Sequence, residues 1–261
     1  MSIRLLCHEL DADAGDLERQ WAALRERVAR ARPHVLVLPE MPFAPWLASS
    51  IPVDPQAWAA AATEHDRWLD HLDDLDAEVV VTTRPIVDDA GVRANEAVVV
   101  VRGRGIVARR RKTFLPDEPG FHEATWYDRG PVDFPVVDTP VAPLGVMVCT
   151  ELWFPEHGRA LGAAGARIIA VPRATPVTSV ERWEAGARVL ATVAGAYVLS
   201  VNRAGGRGVA TFDGGSVLVD PEGRVLARTT PEVPVAAAEA DLAAADRARA
   251  TYPRYVDASH R

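Results

Sequence analysis

Short apolar runs alternate with amphipathic stretches along the first half of the chain. An apolar run at 3–7 precedes apolar side chains at helical spacing, which predict a helix over 16–31. Residues 35–38 are uniformly apolar, as in a buried strand, and a second helix is predicted over 55–73. Further strands are predicted at 79–83, 97–101 and 105–108.

The alternation continues in the second half. A strand at 145–148 runs into Cys149, and a helix predicted over 155–165 ends at Gly165. The polar end, 241–261, is predicted to be a C-terminal tail that docks on the body or on a neighbouring subunit. The other predicted elements are a strand at 168–171, a helix over 180–195, a strand at 197–201 and a hairpin of 216–219 with 225–227.

Buried strands with helices between them predict an α/β fold in which helices cover the sheets. No Gly/Ser linker or low-complexity segment divides the sequence. Residues 1–261 are therefore interpreted as a single domain, with 241–261 as its tail.

Composition and charge exclude several classes of protein. The chain is 48% hydrophobic and 25% charged, which is typical of a globular protein. Its formal net charge of -7 argues against nucleic acid as a partner, because phosphate recognition needs a basic surface. No apolar stretch approaches the ~20 residues that cross a membrane. The N-terminus lacks the apolar core of a signal peptide, so we expect a cytoplasmic protein without a membrane partner.

The potential metal ligands are few and scattered. Cys7 and Cys149 are the only two cysteines, and neither they nor the seven histidines show a metal-ligand spacing. In a reducing compartment a disulfide between the two is not expected. No motif in the sequence therefore supports a metal site.

The distribution of basic residues is unusual. Lys+Arg is 29, and Lys112 is the only lysine. A lysine kept in such an arginine-rich chain indicates a position that arginine cannot fill, such as a compact ammonium beside a reacting atom. Chance retention is the alternative. Lys112 ends a basic run that begins at Arg109, and a solvated face explains the arginines of that run better than the lysine.

Two further residues have candidate chemistry. Cys149 ends an apolar strand and precedes a helix, where a turn exposes a thiol and the helix dipole favours the thiolate. A lone cysteine is otherwise a small buried hydrophobe. Glu40 also follows a buried strand, and apolar neighbours such as Phe43 would desolvate it, as for a general base. A helix cap or a solvated loop end is the alternative for Glu40.

Three segments together resemble a known family. Glu40, Lys112 and Cys149 lie, in that order, in the segments LVLPE, RRKTFLPDEPGF and GVMVCTELWFPE. These segments resemble the signature segments of the nitrilase, or carbon–nitrogen hydrolase, superfamily. RANEAVVV, GARIIAVPRA, YVLSVNRAG and GGSVLVDPEGRVLA also fit, so the resemblance covers nearly the whole chain. It implies a four-layer αββα sandwich, a homodimer or higher homo-oligomer, and no cofactor or metal.

The resemblance also implies a second glutamate between the lysine and the cysteine. Glu123 has the spacing to Gly130 that the family shows, and Glu118 is the competitor. Glu123 is preferred.

The implied reaction is hydrolysis of a small-molecule amide or N-carbamoyl compound through a cysteine thioester. Glu40 would be the proton acceptor and donor for Cys149. Lys112, with a backbone N–H next to the cysteine, would stabilise the oxyanion. Glu123 would orient the lysine. The same thioester allows acyl transfer or amide synthesis, and a catalytically silent binding homologue is a further alternative.

Within the superfamily, the chain looks most like the amidase branch near the N-carbamoylputrescine amidases. Two segments carry this likeness, KTFLPDEPGFHEATWYDRG and CTELWFPE. Thr150 and Glu151 depart from that branch, as does 175–179, which lacks the expected aromatic residues. Glu151 either binds an amine of the substrate or is structural. The other candidate substrate-binding residues are Trp153, Phe121 and Trp46, for which a place in the core is the alternative.

Overall fold

The computed structural model describes residues 2–208 and 210–256, which form two large β-sheets with helices outside them. The strands are β1 (Ser2–His8), β2 (Val35–Val37), β3 (Val79–Val87), β4 (Arg93–Val101), β5 (Gly105–Arg111), β6 (Asp117–Glu118), β7 (Phe121–His122), β8 (Leu144–Val146), β9 (Ile168–Arg173), β10 (Tyr197–Asn202), β11 (Ala204–Arg207), β12 (Ala210–Asp213), β13 (Val217–Val219), β14 (Val225–Arg228) and β15 (Val235–Asp241). The α-helices are α1 (Leu17–Ala31), α2 (Pro55–Leu69), α3 (Glu123–Trp126), α4 (Pro155–Ala163), α5 (Val180–Ala194) and α6 (Leu242–Arg249).

Both large sheets have a parallel centre. The six-stranded sheet has the order β15-β1-β2-β3-β4-β5, in which β1, β2 and β3 are parallel to one another. The five-stranded sheet has the order β14-β13-β10-β9-β8, in which β8, β9 and β10 are parallel. In such sheets the carboxyl ends of the parallel strands form one edge, where α/β proteins place their ligand sites.

The central strands β2, β3 and β4 of the six-stranded sheet are buried on both faces over most of their length, which explains their apolar sequences. Leu5 and Val37 belong to the core shared with the five-stranded sheet, whereas Leu6 and Leu36 belong to the core under α1 and α2. On the far side, α4 and α5 cover the five-stranded sheet, with Leu190 of α5 fully buried. The layers therefore run helix, sheet, sheet, helix, and the predicted αββα sandwich is confirmed.

Several element ends differ from the sequence-based prediction. β5 continues to Arg111 instead of ending at residue 108, so the basic run lies within a strand. The helix predicted over 55–73 ends at Leu69 and is followed by a separate 3-10 turn at Leu72–Asp74. Helix α4 ends at Ala163, two residues before the predicted end.

The C-terminal segment docks on the body of the same chain. All seven residues of β15 pair with β1, and α6 follows directly. Beyond it, Arg254 donates to the carbonyl of Pro221 at 3.2 Å and to Glu222 at 2.6 Å. Residues 257–261 of the predicted tail lie outside the described residues. Within the described ranges, no helix has both the length and the apolar character needed to span a membrane.

Candidate active site

Four predicted side chains meet where the two sheets face each other. Glu40 follows β2 and Lys112 directly follows β5, both from the six-stranded sheet. Glu123 begins α3, and Cys149 follows β8 of the five-stranded sheet and begins a 3-10 helix, Cys149–Trp153. All four are almost completely buried.

Lys112 joins the two glutamates. Its Nζ donates to Oε1 of Glu40 at 2.8 Å and to Oε2 of Glu123 at 2.5 Å. A carboxylate oxygen of each glutamate and Sγ of Cys149 all lie within 4.8 Å of one another. Glu118, the competitor, is an exposed residue of β6 and makes no hydrogen bond or ion pair with Lys112. The geometry therefore favours Glu123 as the second glutamate.

The backbone around Lys112 is fixed from both sides. Its N–H donates to the carbonyl of Asn95 at 2.8 Å, and its own carbonyl accepts from the N–H of Gly130 at 2.8 Å. A Cβ on Gly130 would lie 2.5 Å from the carbonyl oxygen of Arg111. Only glycine permits this close approach, which explains the glycine at the end of the Glu123–Gly130 spacing.

Only one of the two carboxylate oxygens of Glu40 has hydrogen-bond partners among the described residues. Oε1 accepts from Lys112 and from Nδ2 of Asn95, the latter at 2.6 Å. Oε2 is buried and makes no hydrogen bond to any described residue. This oxygen is therefore free to accept a proton. The sequence-based reasoning missed Asn95, although it lies inside the RANEAVVV segment that fits the family.

Glu123 has a second partner that the sequence reasoning also missed. The hydroxyl of Tyr127 donates to Oε2 of Glu123, one helical turn along the chain. Burial raises the pKa of Glu123 to about 7, with the nearby Glu40 adding to the effect and Lys112 opposing it. Near neutral pH this carboxyl therefore exchanges between its charged and neutral forms.

Lys112 stays charged despite its burial. Burial alone would lower the pKa of Lys112, but Glu123 and Glu40 outweigh it, and the pKa lies above its usual value. An ammonium has three donor hydrogens. Two are used by the glutamates, which leaves one for a substrate oxygen.

Cys149 is held in a strained conformation with a protonated thiol. Its φ is 48°, in the left-handed region that non-glycine residues rarely occupy. Sγ lies 3.7 Å from the carbonyl of Ala174. Burial raises the pKa of Cys149, Glu40 raises it further, and Lys112 opposes them. The expectation that a helix end holds the thiolate is not supported, so this thiol needs a base.

A cavity of about 420 Å³ opens onto Cys149. Phe121 and Trp153, two of the predicted substrate-binding residues, belong to its wall, and Trp153 packs against Trp183 with ring centroids 5.3 Å apart. The polar and charged residues of the cavity wall beside the reacting groups are Asp117, Glu118, Thr150, Thr175, Ser179 and Arg182.

Trp46 lies elsewhere. Its Nε1 donates to the carbonyl of Gly120 at 3.0 Å, and its ring packs against Phe121 and Phe212. It faces a separate cavity of about 550 Å³ beside α2. Trp46 therefore supports the cavity wall from behind, through Phe121.

Glu151 is also turned away from the cavity. Its carboxylate is fully buried and accepts two hydrogen bonds from Arg110, each at 2.6 Å. The backbone N–H groups of Thr113 and Val148 donate to the same carboxylate, each at 2.6 Å. All of its strong acceptor positions are taken, so the structural alternative fits Glu151 and substrate binding does not.

The Glu40, Glu123 and Cys149 cluster also has the spacing of a metal-ligand set. Lys112 already donates to both carboxylates and supplies the positive charge that such a cluster requires. The donor set is therefore that of a lysine-centred ion-pair network.

The comparisons with known proteins agree with the geometry. The family model for carbon-nitrogen hydrolases matches residues 10–250. A carbon-nitrogen hydrolase from Helicobacter pylori superimposes with a TM-score of 0.87 at 23% identity, covering 97% of this chain and 94% of that one. This likeness concerns the fold.

Curated relatives match over part of their length. A glutamine-dependent NAD(+) synthetase from Rhodobacter capsulatus is 38% identical over 145 residues, which are 54% of this chain and 25% of the synthetase. An N-carbamoylputrescine amidase from Solanum tuberosum is 33% identical over 135 residues, which are 45% of this chain and 44% of the amidase. The predicted place near the amidase branch is confirmed.

Proposed function

The chain belongs to the carbon–nitrogen hydrolase family, and we propose that it hydrolyses a linear amide or N-carbamoyl compound through a thioester on Cys149. One observation supports this above all. Cys149 and Glu123 line a cavity of about 420 Å³, and Glu40, whose Oε2 has no partner among the described residues, lies with them in the cluster that Lys112 joins. That volume suits a small molecule.

In the first half of the reaction, Sγ of Cys149 attacks the carbonyl carbon, and the thiol proton moves to Oε2 of Glu40. The carbonyl oxygen becomes an oxyanion. The third hydrogen of the Lys112 ammonium and the backbone N–H of Thr150 donate to it. The C–N bond then breaks, Glu40 returns the proton to the leaving nitrogen, and an acyl thioester remains.

In the second half, water attacks the thioester and gives a proton to Glu40. The C–S bond breaks, and the thiol of Cys149 takes that proton back. The net reaction is amide plus water to carboxylic acid plus amine or ammonia. Glu123 holds Lys112 in place by accepting a hydrogen bond from its ammonium.

The test is ammonia or amine release from a panel of linear amides and N-carbamoyl amines. We expect turnover of at least one member by the wild type, and a loss of ~10³-fold or more in Glu40→Gln and Cys149→Ala. Release of product by Cys149→Ala at the wild-type rate would contradict the proposal.

A second candidate concerns the substrate. The relatedness to a glutamine-dependent NAD(+) synthetase favours the side-chain amide of glutamine. Glu118 and Arg182 have opposite charges and line the cavity, and among the described residues neither has an ion pair or a side-chain hydrogen bond. They are therefore free to bind the ammonium and carboxylate of an amino acid.

Three amides distinguish this candidate from a simple amidase. Glutamine should be preferred over its analogues without the amino group and without the carboxylate. Glu118→Gln should reduce kcat/KM only for substrates with an amino group, and Arg182→Gln only for those with a carboxylate. Equal kcat/KM for all three amides would contradict the preference for glutamine and would favour a simple amidase.

Ammonia release and adduct formation on Cys149 distinguish hydrolysis from acyl transfer and from a silent homologue. Ammonia release without an added amine indicates hydrolysis, whereas a rate that depends on an added amine acceptor indicates acyl transfer. Absence of any adduct on Cys149 would favour the silent homologue. The homodimer or higher homo-oligomer and the cytoplasmic location stay predictions.

A further inference from the structure

Arg203 is a buried guanidinium that reaches from one sheet to the other. It directly follows β10 of the five-stranded sheet, and its side chain is completely buried. Its backbone N–H donates to the carbonyl of Arg173 at 3.2 Å. Burying a guanidinium is costly unless its hydrogen bonds are satisfied, so its partners indicate what it holds.

Those partners are mainly backbone carbonyls of the segment that contains Glu40. Nη1 donates to the carbonyls of Glu40, at 3.2 Å, and Met41, and Nη2 donates to that of Ala44 at 2.8 Å. Its acidic contact is Asp13, with Nη2 and Oδ2 3.6 Å apart. One side chain thus binds three carbonyls of residues 40–44, which we call the Glu40 segment.

The Glu40 segment contains a strained residue. Met41 has a φ of 44°, in the left-handed region that non-glycine residues rarely adopt. It is held at both ends, because its N–H donates to Oγ1 of Thr83 at 2.9 Å and its carbonyl accepts from Arg203. Met41 directly follows Glu40, and Arg203 binds the carbonyls of both residues, so the same contacts fix the backbone from which the Glu40 side chain projects.

That direction matters for the free oxygen of Glu40. Oε1 is occupied by Lys112 and Asn95, and Oε2 has no partner among the described residues. If Arg203 released these carbonyls, the backbone at Glu40 and Met41 would be free to rotate, and Oε2 would move relative to Sγ of Cys149. A displacement of about 1 Å can reduce a rate by ~10²-fold.

We propose that Arg203 is a positioning residue that keeps the Glu40 segment in its strained conformation and thereby aims Glu40 at Cys149. Arg203 acts through the backbone and contacts no substrate. The inference rests on the proposed role of Glu40 as the base for Cys149.

The test measures thiol reactivity as well as turnover. In Arg203→Met, alkylation of Cys149 by iodoacetamide at pH 7 should slow by ~10²-fold, as in Glu40→Gln, and kcat should fall by a similar factor while KM stays within about twofold. Arg203→Lys, which keeps a donor, should regain part of both rates. Thr83→Val removes the other contact of Met41 and should slow alkylation in the same direction.

Asp13→Asn is the matched control. It removes the acidic contact of Arg203 and leaves the three carbonyl contacts, so it should lower the melting temperature and leave alkylation and kcat at wild-type values. If Arg203→Met does not fold, Arg203→Lys and Thr83→Val supply the test. Wild-type alkylation in these variants would overturn the inference, as would equal slowing in Asp13→Asn.

The alkylation assay needs no substrate. Slow alkylation in the Arg203 variants supports the positioning role even if no amide of the panel is hydrolysed, which would count against the proposed function alone. Wild-type alkylation in Glu40→Gln would overturn both the base role of Glu40 and the inference built on it.

Discussion

At the scale of single residues, Lys112 holds a compact ammonium between two buried carboxylates. The contacts at 2.8 Å and 2.5 Å come from one nitrogen atom. A guanidinium is planar and bulkier, and it distributes its donors over a fork. It cannot donate hydrogen bonds to Glu40, Glu123 and a substrate oxygen from a single nitrogen atom. This geometry explains a lysine in a chain where every other such basic residue is arginine.

We therefore expect Lys112→Arg to be nearly as damaging as Lys112→Ala, each lowering kcat/KM by ~10²–10³. Steady-state kinetics on the best amide of the panel provides the measurement. Arg109→Lys, an exchange at an exposed position of the same strand, is the control and should keep wild-type kinetics. Activity of Lys112→Arg within a fewfold of wild type would refute the special role of the lysine.

Glu123 makes stability depend on pH. Its folded-state pKa of about 7 lies above the usual 4.5, so between these values the native state binds more protons than the unfolded state. The contribution of this group to stability therefore falls as pH rises from 4.5 to 7.

Glu123→Gln removes that titration. From urea unfolding at several pH values, the free energy of unfolding of wild type relative to the variant should fall across this window, by at most about 1.4 kcal/mol per pH unit. Groups that titrate in both proteins, such as His8 and His65, cancel in the difference. A difference that is constant or rises with pH would contradict the raised pKa.

The residues that sequence reasoning found are those whose types match the proposed chemistry. Glu40, Lys112, Glu123 and Cys149 come together in space. Asn95 and Tyr127 were missed because amide and phenol groups are common in many other roles. Arg203 could not be found, since nothing in the sequence shows that its guanidinium reaches carbonyls 159 to 163 residues away.

At the scale of elements, Glu151 ties β5 to the 3-10 helix that begins at Cys149. Arg110 of β5 is bound by both carboxylate oxygens, and the N–H of Val148 is bound by one of them. The position of Glu151 two residues after Cys149 suggested a contact with substrate. The turn at Cys149, however, directs the Glu151 side chain inward, and a residue spacing alone cannot show that direction.

Glu151→Gln should therefore destabilise the fold by about 3–5 kcal/mol, because it leaves the charge of Arg110 buried without its partner. Chemical denaturation gives the loss, with Glu156→Gln on the exposed face of α4 as the control. A selective rise in KM for amine-bearing substrates at unchanged stability would instead restore the substrate-binding hypothesis.

The strands were predicted where their side chains are apolar on both faces, as in β3 and β9. β15 was missed because its sequence VAAAEAD is rich in alanine, which has low strand propensity. Its pairing with β1 places residues 235–241 beside 2–8, and such a long-range partner cannot be inferred from local sequence.

At the scale of the whole molecule, the sandwich brings the reactive groups together from opposite sheets. Glu40 and Lys112 come from the six-stranded sheet, and Cys149 comes from the five-stranded sheet. The resemblance of short motifs predicted this architecture, whereas periodicity alone predicted only sheets covered by helices. The site therefore depends on the packing of two sheets and on the contacts, such as those of Arg203, that join them.

The central claim is that Cys149 forms a covalent acyl intermediate with an amide substrate. Intact-mass measurement after mixing and rapid acid quench, followed by peptide mapping, tests it directly. We expect one acyl group on the peptide containing Cys149, none on the peptide containing Cys7, and no adduct in Cys149→Ala. Turnover without any such adduct, or an adduct that persists in Cys149→Ala, would contradict the account.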